Sequence, residues 1–139
     1  MTDFVNNLKS ALLSGFINEE IEAYESLKPK ILINDKSKEK KVLGSIIDNL
    51  LDCEEFSFAV AFLTSGGVAS LHTTFKLLEE KNIKGNIIIS DYLNFSNPEG
   101  MRKIIKFKNI RTYFLRDKDF HEKSFLFKNK KKHTVIIGS

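Results

Sequence analysis

The chain contains little cysteine, proline or tryptophan, and it has no long apolar run. Its 139 residues include one cysteine, Cys53, two prolines and no tryptophan. A single cysteine excludes an internal disulfide framework and a cysteine-based zinc site, and it fits a reducing compartment. No stretch reaches the roughly 18 apolar residues that a membrane-spanning helix needs. We therefore expect a soluble, cytoplasmic protein that has no membrane partner.

The net charge of +4 is unevenly distributed along the chain. Residues 1–100 contain 10 Lys/Arg and 15 Asp/Glu, a balance of −5, whereas residues 101–139 contain 12 and 3, a balance of +9. A basic C-terminal part favours a polyanionic partner, and nucleic acid is the leading candidate. A solvated lysine-rich face without a bound partner is the alternative.

The apolar pattern predicts one α/β domain. Amphipathic helical stripes alternate with short apolar runs, which predict strands over residues 31–33, 55–63, 84–90, 109–115, 121–127 and 134–139. The order β-α-β-α-β-α-β-β-β indicates a mostly parallel mixed β-sheet, flanked by helices on both faces and ending in a hairpin. Residues 1–29 are predicted to form an N-terminal helical segment, and residues 30–139 the α/β domain.

The last two predicted strands carry the residues best suited to chemistry, namely His121, Lys123, Gly138 and Ser139. Residues two apart on a strand project from one face, so the imidazole and the ammonium are expected side by side. A Gly-Ser turn lets an anion approach the backbone closely. These groups suit phosphoryl transfer, with a nucleophilic nitrogen, a cation for the oxygens and a turn that stabilises charge. A surface histidine in an accidental triplet is the alternative, since chance supplies roughly 0.4 such triplets, about 3 × 19/139.

Three further places are candidates for substrate binding. Ser65 and Gly66 lie where a strand turns into a helix, a geometry that binds anions, although a tight turn without a ligand is equally compatible. Asp91 opens the polar loop after the strand 84–90, and such loops bind ligands in parallel sheets. Lys130 and Lys131 belong to the basic turn between the last two strands and suit contacts with phosphates.

From about Lys30 to Ser139 the chain resembles the phospholipase D superfamily, and most closely the phospholipase D-like domain of restriction endonucleases and bacterial helicase-associated proteins. The residues that carry the resemblance are His121-x-Lys123 with Gly138-Ser139, the apolar strand 59–63 and the loop 90–94. The family signature is H-x-K, four further residues and often an aspartate, then G-S-x-N. Lys128 occupies the aspartate position here. The nuclease branch of the family is similar in lacking that aspartate.

The resemblance implies a phospholipase D-like fold and a phosphodiesterase that cleaves DNA without a metal or another cofactor. His121 would attack phosphorus to form a phosphohistidine, Lys123 would bind the phosphoryl oxygens, and Ser139 would help to position them. A second histidine must protonate the leaving oxygen. Because the chain carries a single H-x-K, that histidine is expected to be His121 of a second copy across a two-fold homodimer.

The resemblance also predicts that the domain is incomplete, because the family continues beyond the position of Ser139 to the asparagine of its signature. We therefore expect a fragment of a larger restriction or helicase-type protein with other domains as partners, and we expect this piece alone to be inactive. A catalytically inactive DNA-binding module of a helicase, a lipid phosphodiesterase and a purely structural domain remain the alternatives.

Overall fold

The computed structural model of the chain describes residues 3–6, 9, 29–35, 41–90, 95–115 and 120–138. The chain divides into two compact units, Met1–Lys41 and Val42–Ser139. The sequence predicted a boundary between residues 29 and 30. The observed boundary lies twelve residues later, because the stretch that was expected to supply the first strand belongs to the first unit.

In the first unit, residues 3–6 and residue 9 are helical. A second helix in that segment, expected between residues 18 and 27, lies outside the described residues. The predicted strand over residues 31–33 is wrong. These residues have no regular structure, and Ile31 is 73% exposed. A three-residue apolar run is too short to specify a strand when longer strands elsewhere form the sheet.

The helices described in the second unit are α1 (Val42–Asp52), α2 (Ser65–Glu80) and α3 (Pro98–Ile104). Local sequence accounts for where they begin. The Thr64 hydroxyl accepts a hydrogen bond from the backbone N–H of Gly67 at the start of α2. Asn97 caps α3 in the same manner, with proline at the first helical position. Both caps satisfy backbone donors that a helix leaves unpaired at its N-terminus.

The strands of the described residues form a five-stranded mixed sheet in the order β3-β2-β1-β4-β5. Their bounds are β1 Glu55–Val60, β2 Lys84–Ser90, β3 Ile110–Leu115, β4 Lys123–Lys128 and β5 His133–Gly138. Strands β1, β2 and β3 are parallel, whereas β4 is antiparallel to both β1 and β5. The expected parallel sheet with a terminal hairpin is therefore correct in outline. The hairpin of β4 and β5 pairs with β1, which is the central strand of the sheet.

Two strand ends differ from the sequence prediction by more than one residue. The strand predicted over residues 55–63 ends at Val60. Beyond it, the carbonyl of Leu63 accepts a hydrogen bond from the N–H of Asn97, and the N–H of Leu63 donates to the hydroxyl of Ser96, so Leu63 does not pair with a neighbouring strand. The strand predicted from His121 begins at Lys123, because the His121 carbonyl accepts a hydrogen bond from the Lys123 side chain. Side-chain and loop contacts thus replace ladder hydrogen bonds at both ends.

One face of the sheet carries the core, and the helices α1, α2 and α3 supply its other half. The buried strand residues share that face, as their register shows; they are Phe56, Phe58, Ile87, Ile89, Ile110 and Phe127. Ile46 and Leu50 from α1, with Val68, Phe75 and Leu78 from α2, pack against them. Apolar residues contribute about 25 cal/mol per Å² buried, so this layer is the main source of stability.

The opposite face of the sheet is exposed. Ile88, Tyr113, Val135 and Ile137 lie on it and are 37, 48, 56 and 74% exposed. The expectation of helices on both faces is therefore wrong for the described helices, which all contribute to a single core. A helical stripe in the sequence shows that a helix has a buried side, but it does not show which face of a sheet receives that side.

Within the part of the chain that the structure describes, no helix combines the length and the apolar character needed to cross a membrane.

Candidate functional site

Several chain segments meet at the edge of the sheet where β1 and β2 end and β4 begins. Beyond β1, the N–H of Ala61 donates to the Glu122 carbonyl at 3.0 Å. The N–H of Phe120 approaches the hydroxyl of Ser90, the last residue of β2, at 3.4 Å. These two contacts fix the segment that contains His121 on both sides. The carboxyl ends of parallel strands are the usual position of ligand sites in such sheets.

His121 and Lys123 are in direct contact at this edge. The Lys123 Nζ lies 3.1 Å from Nε2 and 3.4 Å from Nδ1 of the His121 ring, and it also donates to the His121 carbonyl at 3.0 Å. An ammonium has only donors, so a ring nitrogen can accept a hydrogen bond from it only through a lone pair. The imidazole and the amine are therefore adjacent, as expected, although His121 precedes β4 and the two residues do not lie together on a strand.

Lys123 is half-buried, whereas His121 is exposed. Register places Lys123 beside Val60, on the face of the sheet that carries the core. Its Nζ lies 5.5 Å from the centre of the Phe62 ring, a distance at which the face of an aromatic ring attracts a cation. The amine is thus held between an aromatic wall and the imidazole.

Gly138 is the register partner of Lys123 on β5. A Cβ atom added at Gly138 would lie 3.9 Å from the Lys123 carbonyl oxygen and would meet no closer neighbour, so this backbone is open to approach. The register thus sets the backbone of Gly138 opposite that of Lys123. Ser139, the hydroxyl half of the predicted corner, lies outside the described residues.

The turn from β1 into α2 reaches the same region. Thr64 and Gly67, which flank Ser65 and Gly66, line a cavity that Lys123 also lines. Ser65 and Gly66 themselves are not among its lining residues. The structure thus brings the start of α2 to the lysine, but not the two residues that the sequence indicated.

The start of α3 packs tightly against this turn. A Cβ atom on Gly100 would lie 3.0 Å from the backbone nitrogen of Ser65, closer than an ordinary contact. The Ser96 hydroxyl donates to the Ser90 carbonyl at 3.1 Å and accepts from the Leu63 N–H at 3.2 Å. Ser96 therefore ties the loop after β2 to the loop after β1. Asp91, predicted to bind substrate from this loop, lies outside the described residues.

Lys130 and Lys131 lie at the opposite end of the sheet from His121. They follow β4, and the five steps from Lys123 to Lys128 cover roughly 17 Å at about 3.3 Å per residue. The Asn129 side chain accepts hydrogen bonds from the backbone N–H groups of Lys131 and Lys132 and so fixes the turn. Because β4 runs for six residues from Lys123 towards the lysine turn, the turn must lie far from His121.

Phe62 and Ser96 are the site residues that sequence reasoning missed. Phe62 was placed inside a buried strand, and nothing in the local pattern shows that the strand ends two residues earlier. Ser96 belongs to a polar loop, and the sequence does not show which hydroxyl of that loop makes a contact. Their roles depend on contacts with Lys123 and Ser90, which are distant along the chain.

Among the described residues, no group of three or more His, Cys, Asp and Glu side chains is arranged to hold a metal ion. The described groups that meet here include the His121 imidazole and the Lys123 ammonium, with the Gly138 backbone paired to Lys123, and an imidazole beside an ammonium is suited to nucleophilic attack at an anionic centre. Comparison with protein-family models and with curated proteins gives no match to this chain.

Proposed function

We propose that the chain is a phospholipase D-like phosphodiesterase domain that cleaves nucleic acid through a phosphohistidine. The contact between Lys123 Nζ and His121 Nε2, 3.1 Å apart and opposite Gly138, is the observation that supports this proposal most strongly. It brings a nucleophile and a cation close enough to engage one phosphoryl group. The finer assignment of the α/β fold to the phospholipase D type is part of the same proposal.

His121 and Lys123 have different roles in the proposed reaction. The His121 nitrogen attacks phosphorus, the bond from phosphorus to the leaving oxygen breaks, and that oxygen takes up a proton. Water then attacks the phosphohistidine and gives a proton back to the group that protonated the leaving oxygen. The bond from phosphorus to nitrogen breaks, the cleaved strand leaves with a terminal phosphate, and the imidazole is regenerated. Lys123 donates to the non-bridging oxygens throughout and stabilises the charge that they gain in the transition state. Phe62 helps to hold the ammonium in place.

The proton for the leaving oxygen must come from a group near His121, and the other histidines of the chain are badly placed. His133 begins β5 opposite Lys128, at the far end of the sheet. His72 packs on Phe107, which precedes β3 and so lies at the same far end. A two-fold dimer that brings two His121 side chains together supplies the acid. We therefore propose that the active form is a homodimer.

The test is nicking of supercoiled plasmid by the purified full-length protein with EDTA present. We expect His121→Ala and Lys123→Ala each to reduce cleavage by at least about 100-fold, since removal of a catalytic acid-base or charge-stabilising group has effects of that size. His133→Ala and Lys128→Ala are matched controls, because they remove the same residue types from the far end of β4 and β5. Cleavage by His121→Ala at the wild-type rate would exclude the proposed nucleophile.

A nucleic-acid-binding module without cleavage is the second candidate, and the lysine turn favours it. Asn129 fixes the backbone of the turn that contains Lys130, Lys131 and Lys132. The Nζ of Lys130 lies 3.6 Å from Oε1 of Glu54. Each phosphate contact that is lost lowers the slope of log affinity against log salt by about 0.9 on duplex DNA. For this candidate, Lys131→Ala should lower the slope by about that amount while no nicking occurs with the wild-type protein.

A further inference from the structure

An apolar cavity of about 260 Å³ lies on the core face of the sheet, between α1 and α2. Leu43 contributes from α1, Val68 and Leu71 from α2, and Phe125 from β4. Leu43, Leu71 and Phe125 are only partly buried, so the cavity lies at the border of the core. Phe62, Leu63 and Thr64, which follow β1, are among its lining residues, so the cavity reaches the carboxyl end of that strand, where parallel sheets bind ligands.

Of the described residues that line the cavity, Lys123 is the one with a charge. The lining hydroxyls are already engaged, since that of Thr64 accepts from the Gly67 N–H at 3.0 Å and that of Ser70 donates to the Gly67 carbonyl at 2.8 Å. The remaining walls are aliphatic and aromatic. The part of the cavity wall formed by described residues therefore offers apolar surface with one cation, that of Lys123.

Apolar cavities of this kind favour apolar occupants over water. A cavity of about 150 Å³ lined by Leu, Ile and Phe stays dry and binds benzene, because water finds too few hydrogen-bond partners there. The cavity here is larger, so it has room for a two-ring aromatic group or a short alkyl chain. Each methylene that leaves water for such a site contributes about 0.8 kcal/mol of transfer free energy, which converts to roughly a fourfold gain in affinity.

We propose that this cavity binds a small amphipathic anion, with an alkyl or aryl group between α1 and α2 and an anionic head on Lys123. Charge complementarity selects the anion, because Lys123 is the charged lining residue and its ammonium lies at the boundary with the exposed His121. The proposal concerns binding alone and does not depend on cleavage of a phosphodiester. It holds if His121 proves not to be a nucleophile.

Isothermal titration calorimetry of the full-length protein tests the proposal with three probes, each kept below the concentration at which it forms micelles. They are octyl phosphate, ethyl phosphate, which lacks most of the tail, and octanol, which lacks the charge. We expect octyl phosphate to bind at least about 100-fold more tightly than ethyl phosphate and about tenfold more tightly than octanol. Equal affinity for octyl and ethyl phosphate would overturn the proposal without reference to any variant.

Two matched substitutions locate the site. Ser70 lines the cavity from an exposed position of α2, whereas its exposed neighbour Ala69 does not line it. Ser70→Phe should block the cavity and weaken octyl phosphate binding at least about tenfold, while Ala69→Phe, which adds a similar ring, should leave it unchanged. Equal binding by the two variants would show that the ligand sits elsewhere.

The charged end is tested separately. Lys123→Met keeps an unbranched apolar chain of similar length and removes the ammonium. We expect it to lower the affinity for octyl phosphate to that for octanol, about tenfold, and to leave octanol binding unchanged. An unchanged affinity for octyl phosphate in this variant would refute the role of Lys123. Loss of plasmid nicking with retained octyl phosphate binding in His121→Ala would separate this site from the proposed nuclease chemistry.

Discussion

Gly85→Ala should be among the most destabilising single-methyl substitutions in this chain. Gly85 is buried on β2 and is the register partner of Phe56 on β1. A Cβ atom at this position would lie 2.1 Å from Cζ and 2.5 and 2.6 Å from two further atoms of the Phe56 ring. The ring covers the glycine, so the added methyl group has no space.

The size of the effect follows from how far the ring must move. Ordinary contacts begin near 3.4 Å, so Phe56 must shift by at least 3.4 − 2.1 = 1.3 Å. The ring is 1% exposed, stacks on Phe75 at 6.0 Å between centroids and meets Phe58 at 5.0 Å. A shift of that size must disturb both neighbours. Overpacking of a core costs about 1–3 kcal/mol and occasionally more, and we expect about 3 kcal/mol here.

Urea-induced unfolding followed by circular dichroism measures the effect. Gly44→Ala is a matched control, because it makes the same chemical change inside α1 where no atom lies within 4 Å of the added Cβ. It should stabilise the protein by about 0.5–1 kcal/mol through helix propensity. Adding Phe56→Leu to Gly85→Ala should recover at least about 1 kcal/mol relative to the sum of the single changes. A Gly85→Ala variant within about 0.5 kcal/mol of wild type would refute the steric argument.

Two further predictions concern a helix cap and a buried thiol. The Asn97 side chain accepts from the N–H groups of Glu99 and Gly100, so Asn97→Ala should cost about 1 kcal/mol in urea unfolding, whereas Asn97→Asp, which keeps the acceptor, should cost less. Burial raises the pKa of the Cys53 thiol from 9.0 to about 11, which means that the folded state disfavours the thiolate. Cys53 therefore contributes stability below pH 9.0 that is lost as the pH rises towards about 11, and the unfolding free energy of wild type should fall more steeply across that range than that of Cys53→Ala. Parallel pH profiles for the two proteins would contradict this assignment.

The sequence predicted well those elements whose causes lie close together along the chain. The caps at Thr64 and Asn97 depend on a side chain and a backbone N–H two or three residues later, so their causes are local in the sequence. Strand β2 was predicted with its observed bounds, because an apolar run between a lysine and a polar loop leaves little choice. The contact between His121 and Lys123 likewise follows from a separation of two residues. These contacts form between residues a few positions apart, so they do not depend on how distant parts of the chain are arranged.

The failures share a different cause. Residues 31–33 have the composition of a strand, yet they have no regular structure, because strand formation depends on partners that the run itself does not specify. The exposed face of the sheet was expected to be covered, since apolar residues such as Val135 and Ile137 are compatible with either environment. The nuclease assignment and the dimer remain predictions, and cleavage by the purified protein will decide them.

By itself, then, the sequence determined the local features of this protein: its basic C-terminal part, its helix starts and the adjacency of an imidazole and an amine. Only the tertiary structure decided that the hairpin joins beside β1, that Lys130 and Lys131 lie at the opposite end of β4, and that Lys123 borders an apolar cavity. The physical reason is the range of the interactions. Caps and residue spacing act within one turn or one strand, whereas strand order and cavities arise from pairing and packing between residues far apart in the chain.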